Sequence, residues 1–137
     1  MIKMIAALAC SAALLTACND ANDAAEDAME QSAEASAVAA GSAEAALGLT
    51  EIQLLDAEII GDGGLELGDV ASVVRDENGN VDRLLVEIED SIPDRFVHVA
   101  ISDLKPVQRG NDTDLSTRMT AEQLAALPDV PINQQNP

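Results

Sequence analysis

Leu67-Gly68-Asp69-Val70-Ala71-Ser72-Val73-Val74-Arg75, then Asp76-Glu77-Asn78-Gly79-Asn80, then Val81-Asp82-Arg83-Leu84-Leu85-Val86-Glu87-Ile88: two apolar runs on either side of an Asn-Gly turn decide the fold of this chain. Asn-Gly is a strong hairpin signal, because the favoured two-residue turn needs positive φ at its central positions. The first strand of the pair is expected over Glu66 to Arg75, apolar on both faces around Val70 to Val74. The second is expected over Val81 to Glu89. Its period of two puts Leu84, Val86 and Ile88 on one face and Arg83, Glu87 and Glu89 on the other.

The pattern continues in both directions. Upstream, Leu55, Ala57 and Ile59 alternate with Asp56 and Glu58, which predicts a strand, and Gly61-Asp62-Gly63-Gly64 follows as a turn. Downstream, Pro93 breaks the run. Phe96 to Ile101 then reads as a strand with Val97, Val99 and Ile101 inside. Arg109 to Asp112 reads as a polar loop, and Leu115, Thr117 and Met119 as a last short strand. Thr120 with Gln123 approximates a capping box for a short helix, Ala121 to Leu127, which Pro128 ends. Short strands separated by regular turn signals predict an all-β domain over 49–130, with a disordered tail at 131–137.

Several of these segments, in this order and spacing, carry a resemblance. They are the Gly-rich first turn, Leu67-Gly68-Asp69-Val70, Asp76-Glu77-Asn78-Gly79-Asn80-Val81, Leu84-Leu85-Val86-Glu87-Ile88, Val97-His98-Val99-Ala100-Ile101, and Met119-Thr120-Ala121-Glu122-Gln123-Leu124-Ala125-Ala126-Leu127-Pro128. From about Asp56 to Val130 the chain resembles a PRC-barrel domain, the small β-barrel named for the photosynthetic reaction centre H subunit and found also in ribosome-maturation factors. The resemblance implies a small barrel with a short C-terminal helix, acting by docking and without shared catalytic residues. Two departures bear on any shared ligand surface. Glu89-Asp90-Ser91 stands where many relatives carry glycines, and Ser102 where many carry an aromatic residue.

Composition narrows the function. Seven Lys and Arg stand against 25 Asp and Glu, a formal net charge of −18. Phosphate binding needs clustered cations, so nucleic acid is excluded as a partner, as is an electrostatic hold on anionic headgroups. Phe96 is the sole aromatic residue, so the core must be built from aliphatic side chains. Cys10 and Cys18 both precede the foldable part and cannot staple it.

The N-terminus carries an address. Met1-Ile2-Lys3 is a short positive n-region, and Met4 to Ala17 is mostly apolar but short of the roughly 20 residues that span a bilayer. The run ends in Leu15-Thr16-Ala17-Cys18, which resembles a bacterial lipobox. The resemblance implies a signal peptide over 1–17, cleavage before Cys18, and diacylglycerol on its sulfur, so that several acyl chains anchor the protein stably. An ordinary secretory signal cleaved after Ala17 and an uncleaved anchor are the alternatives. Cys10 is a poorer match and would leave the signal too short. Asn19, where enteric inner-membrane lipoproteins tend to carry Asp, favours the outer membrane and a periplasm-facing protein.

Between address and domain, Asn19 to Gly48 holds 12 Ala, 7 acidic residues and no Lys or Arg. Only Met29, Val38 and Leu47 are large and apolar, so a flexible, partly helical acidic tether is expected over 18–48. As a coil it would reach about 30 Å on average.

Candidate chemistry is sparse. His98, the sole histidine, is expected on the strand face opposite Val97 and Val99, and Ser102 and Asp103 would lie more than about 12 Å along an extended chain. Asp76, Asn78, Asn80 and Asp82 invite a calcium reading, but Val81 occupies the EF-hand glycine position and Glu87 falls in a strand, so a turn is preferred. Gly61-Asp62-Gly63-Gly64 lacks the Lys-Ser/Thr of a phosphate loop. The expectation is a non-enzymatic envelope lipoprotein docking a protein partner, with no cofactor and no metal site. The alternative is a divalent-cation or small-ligand binder acting as a buffer or sensor.

Overall fold

The computed structural model describes residues 20–132. The expected signal peptide, with Leu15, Thr16, Ala17 and Cys18, and the end of the tail lie outside the described residues. The described part opens with helix α1, Asp20–Ala40, followed by a small hairpin, β1 (Glu44–Ala46) and β2 (Leu49–Thr50). A short helix, α2 (Glu51–Leu55), leads into β3 (Glu58–Ile60), β4 (Glu66–Arg75), β5 (Val81–Ile88) and β6 (Phe96–Ala100). After a 3-10 turn at Ile101–Asp103 come β7 (Lys105–Arg109), β8 (Asp112–Ser116) and α3 (Ala121–Ala125).

Strands β3 to β8 form one sheet in the order β6-β5-β4-β3-β8-β7. All neighbours pair antiparallel except β3 and β8, which pair parallel. One face holds the main core. Leu84 and Val86 of β5, Val97 and Val99 of β6, Ile59 of β3 and Leu115 of β8 belong to a single buried cluster, joined by Leu54 of α2 and Leu124 of α3. Strands from β6 to β8 thus contribute to one core that runs across the sheet. Its edges, β6 and β7, are not paired with each other, and no closed barrel forms among the described residues.

The hairpin that anchors the reading is present. Asp76 Oδ1 accepts from the backbone N–H groups of Asn78 (2.8 Å) and Asn80 (3.0 Å), and Gly79 takes φ +84°. Gly68, inside β4, is required for space: a Cβ there would lie 2.1 Å from the Glu87 carbonyl oxygen. Thr120 and Gln123 cap α3 reciprocally, as expected.

Several expectations are corrected. The expected all-β barrel over 49–130 holds in part: six strands form one sheet with only the short helices α2 and α3, but the sheet does not close, and the 21-residue helix α1 precedes it. Leu55 ends α2 and is not part of a strand. Thr50 and Gln53 form a second capping box, which outcompetes the alternation of Leu55, Ala57 and Ile59 and shortens the strand to Glu58–Ile60. Lys105–Arg109 is edge strand β7, so Arg109 belongs to a strand and not to the expected polar loop. Arg109 pairs with Asp112, so Gly110-Asn111 is a two-residue hairpin loop with Gly110 at φ +64°. Pro106 is tolerated there because an edge strand leaves one side of its backbone unpaired. The last strand begins at Asp112 and ends at Ser116, before Met119.

The acidic spacer is also more ordered than expected. Ala25, Met29, Ala33 and Ala37 recur every fourth residue, on one face of α1. Ala37 is buried, the other three are half-buried, and the face packs toward the sheet. Gly41, at φ +60°, ends the helix by donating its N–H to the Ala37 carbonyl at 3.0 Å. Glu51 holds the arrangement together. Its carboxylate is buried and accepts from Ser36 Oγ of α1 (2.7 Å) and from Arg75 Nη2 of β4 (2.6 Å). Arg75→Met should therefore cost about 2–3 kcal/mol in urea denaturation, because it leaves a buried carboxylate without its cation. Adding Glu51→Leu to Arg75→Met should recover most of that loss; no recovery would mean the pair is not the reason.

Candidate functional site

Helix α1 and the hairpin strands β4 and β5 enclose a groove on the sheet face opposite the main core. The register shows how that face is made. Glu87 pairs with Phe96, Leu85 with His98, and Arg83 with Ala100, so these side chains share the face that Leu84 and Val86 do not. Phe96 and Leu85 are both buried there. The groove encloses about 460 Å³, within the roughly 300–1,000 Å³ of small-molecule sites.

Its floor and walls are apolar: Met29, Leu55, Val70, Ala71 and Phe96. Val38 and Ile52 stand at its margin and are 72% and 42% exposed. Both are among the most exposed large apolar side chains of the described residues. The polar lining is acidic, with Glu30, Glu34, Asp56, Asp69 and Glu87, and no lining residue is basic.

At one end, Glu87 of β5, Glu26 of α1 and Asp94 offer carboxylate oxygens that all lie within 4.8 Å of one another. Burial, with Glu26, Asp94, Asp69 and Glu30 around it, pushes the Glu87 carboxyl from its ordinary 4.5 up to about 7. Burial and Asp94 raise Glu26 as well. A second trio, Glu58, Glu66 and Asp69, has the same spacing on β3 and β4. There burial and Glu58 raise Glu66. Arg109 donates to both Glu58 (3.0 Å) and the buried Asp114 (3.3 Å), which neutralises part of this second group.

The other sequence candidates fall apart or resolve into structure. His98 is half-buried and pairs across the strands with Leu85; burial and then Arg83 lower its pKa from the ordinary histidine value. Ser102 and Asp103 lie beyond the strand in the 3-10 turn, and among the described residues no side-chain hydrogen bond joins either to His98. The Asp76 loop spends its carboxylate on its own backbone, and those hydrogen bonds hold it below the usual range. Gly63 and Gly64 take φ of +84° and +83° in a plain turn.

The groove itself was not foreseen. Its only sequence signal, a repeat of small apolar residues every fourth position in α1, is hidden among alanines that occur on every side of the helix. No family model matches the chain, and no curated protein shows significant similarity to it.

The Glu87 carboxyl gives a signed prediction. Its folded-state pKa lies above its unfolded value, so between about 4.5 and about 7 the folded state holds more proton than the unfolded one. Stability must then fall as pH rises through that window. Relative to wild type, Glu87→Gln should remove this slope and gain about 1 kcal/mol at pH 8 after screening at a half-buried site. Parallel urea titrations at pH 5 and pH 8 measure it; equal differences at the two pH values would refute the assignment.

Proposed function

We propose that this protein is an envelope lipoprotein, anchored by lipid on Cys18, whose PRC-barrel-like domain docks a protein partner and catalyses no reaction. The observation that carries the reading is the open apolar groove, exposing Val38 and Ile52, beside a domain whose main core is already complete. Buried apolar surface is needed for stability, whereas a margin of exposed large aliphatics marks a contact surface. The barrel reading is supported by the six-stranded mixed sheet, by Leu67-Gly68-Asp69-Val70 inside β4 and by the capped helix that closes the domain.

The anchor reading rests on Leu15-Thr16-Ala17-Cys18. Among the described residues no helix is long and apolar enough to cross a membrane. Helix α1 begins at Asp20, so lipid on Cys18 would sit directly at its start. At 1.5 Å per residue the helix is roughly 30 Å long. The domain would thus be held within about a helix length of the bilayer, facing the periplasm, with the outer membrane favoured by Asn19.

Cys18→Ala should leave the protein unacylated, larger by its signal peptide and redistributed in membrane fractionation. Immunoblotting and mass spectrometry of the fractions test this, and wild-type size and partition would sink the anchor. Crosslinking in living cells should recover a stoichiometric protein partner.

A second reading, a divalent-cation binder, is favoured by one observation: the two carboxylate trios at metal-ligand spacing. Calorimetric titration of the protein with calcium separates the two. An absence of heat at millimolar calcium would remove the second reading.

A further inference from the structure

Resting on the docking reading above, we propose that the groove between α1 and the β4–β5 hairpin takes a basic amphipathic segment of a protein partner, its apolar side chains seated over Phe96 and its Lys or Arg residues paired with the carboxylates of the wall. The apolar part of the surface comes from four elements at once. Met29 and Val38 belong to α1, Ile52 and Leu55 to α2, Val70 and Ala71 to β4, and Phe96 to β6. A groove built this way accepts anchor side chains spaced along a partner segment, the mode in which an amphipathic helix lays its apolar face into a cleft.

Charge selects the occupant. Glu30 and Glu34 stand on the exposed side of the α1 wall, Asp56 follows α2, and Asp69 and Glu87 come from the sheet. No lining residue is a cation that would neutralise them. An acidic or neutral apolar partner would have to desolvate these carboxylates without compensation. A cation beside an apolar anchor removes that cost and relieves the mutual repulsion already felt at Glu87. The two exposed aliphatics of the margin, Val38 and Ile52, set where the apolar face of the segment lies. The whole chain carries a net charge of −18, so approach of a basic segment is favoured before contact.

The test uses the full chain, purified from expressing cells and held in phosphatidylcholine nanodiscs, with empty nanodiscs as the blank. Two labelled synthetic peptides are titrated by fluorescence anisotropy: an amphipathic helix of leucine and lysine, and its counterpart with glutamate for every lysine. The lysine peptide should bind at least about tenfold more tightly than its counterpart, and its affinity should fall with added salt. Glu30→Gln combined with Glu34→Gln should weaken it about five- to tenfold, and Ile52→Ser by a similar factor. Circular dichroism and thermal unfolding confirm that these exposed-site variants stay folded. Equal binding of both peptides, binding indifferent to all three substitutions, or no binding at millimolar peptide would each overturn the proposal.

A photocrosslinking residue placed at Ile52 or at Lys105 in living cells separates this proposal from the docking reading. Partner capture from Ile52 supports the groove. Capture from Lys105 alone overturns the groove while docking stands, and capture from neither removes both.

Discussion

The Glu51 carboxylate is the constraint on which the arrangement of this protein depends. It sits at the start of α2, is 3% exposed, and accepts from Ser36 on one side and Arg75 on the other. A buried carboxylate is tolerable only with its charge compensated and its oxygens occupied. Meeting that demand ties three separate parts of the chain to one point: the C-terminal half of α1, the first turn of α2 and the end of β4. Arg75 also donates to the Gly79 carbonyl at 2.9 Å, which extends the link to the hairpin turn. The seat of α1 on the sheet therefore relies on polar satisfaction as much as on its small alanine face.

The position of α1 determines the character of the other face of the sheet. The sheet buries Leu84, Val86, Val97 and Val99 on one face. On its other face, Phe96 lines the groove beside α1, and Glu87 stands half-buried in the same groove. A helix carrying mainly alanines toward the sheet cannot fill that space, so a groove remains beside it. The same helix supplies Glu26, Glu30 and Glu34 to a sheet that already presents Asp69 and Glu87. The acidic groove and the raised Glu87 pKa thus follow from one event, the docking of an acidic helix onto an acidic strand pair.

Much of the sheet was legible in the sequence, and the reasons are local. Asp76 to Asn80 forms its turn through its own backbone and side chains, so β4 and β5 fall within a residue of expectation. Thr120 and Gln123 cap α3 through contacts three residues apart. The failures have an equally definite cause. Leu55, Ala57 and Ile59 alternate like a strand, but Thr50 and Gln53 nucleate a helix that consumes Leu55. Leu47 and Gly48 turn the β1–β2 hairpin with φ of 56° and 76°, and a leucine does not advertise a left-handed turn. The candidate site was the least legible part, because its walls come from α1, α2 and three strands, and no local pattern links Val38 to Ile52 or Glu26 to Glu87.

By itself, the sequence determined the strands from 66 to 100, the turn chemistry between them, the capped C-terminal helix, and the strong net acidity. It also carries Leu15-Thr16-Ala17-Cys18, whose resemblance to a lipobox needs no tertiary contact to be read. Only the tertiary structure decided that the sheet is mixed and open at β6 and β7, that α1 docks, and that five carboxylates and a few exposed aliphatics share one groove. The physical reason is range. Turn and cap preferences act over three or four residues and leave their mark in sequence order. Desolvation of Glu51 and repulsion among Glu26, Glu87 and Asp94 exist only after folding brings distant segments within a few ångströms.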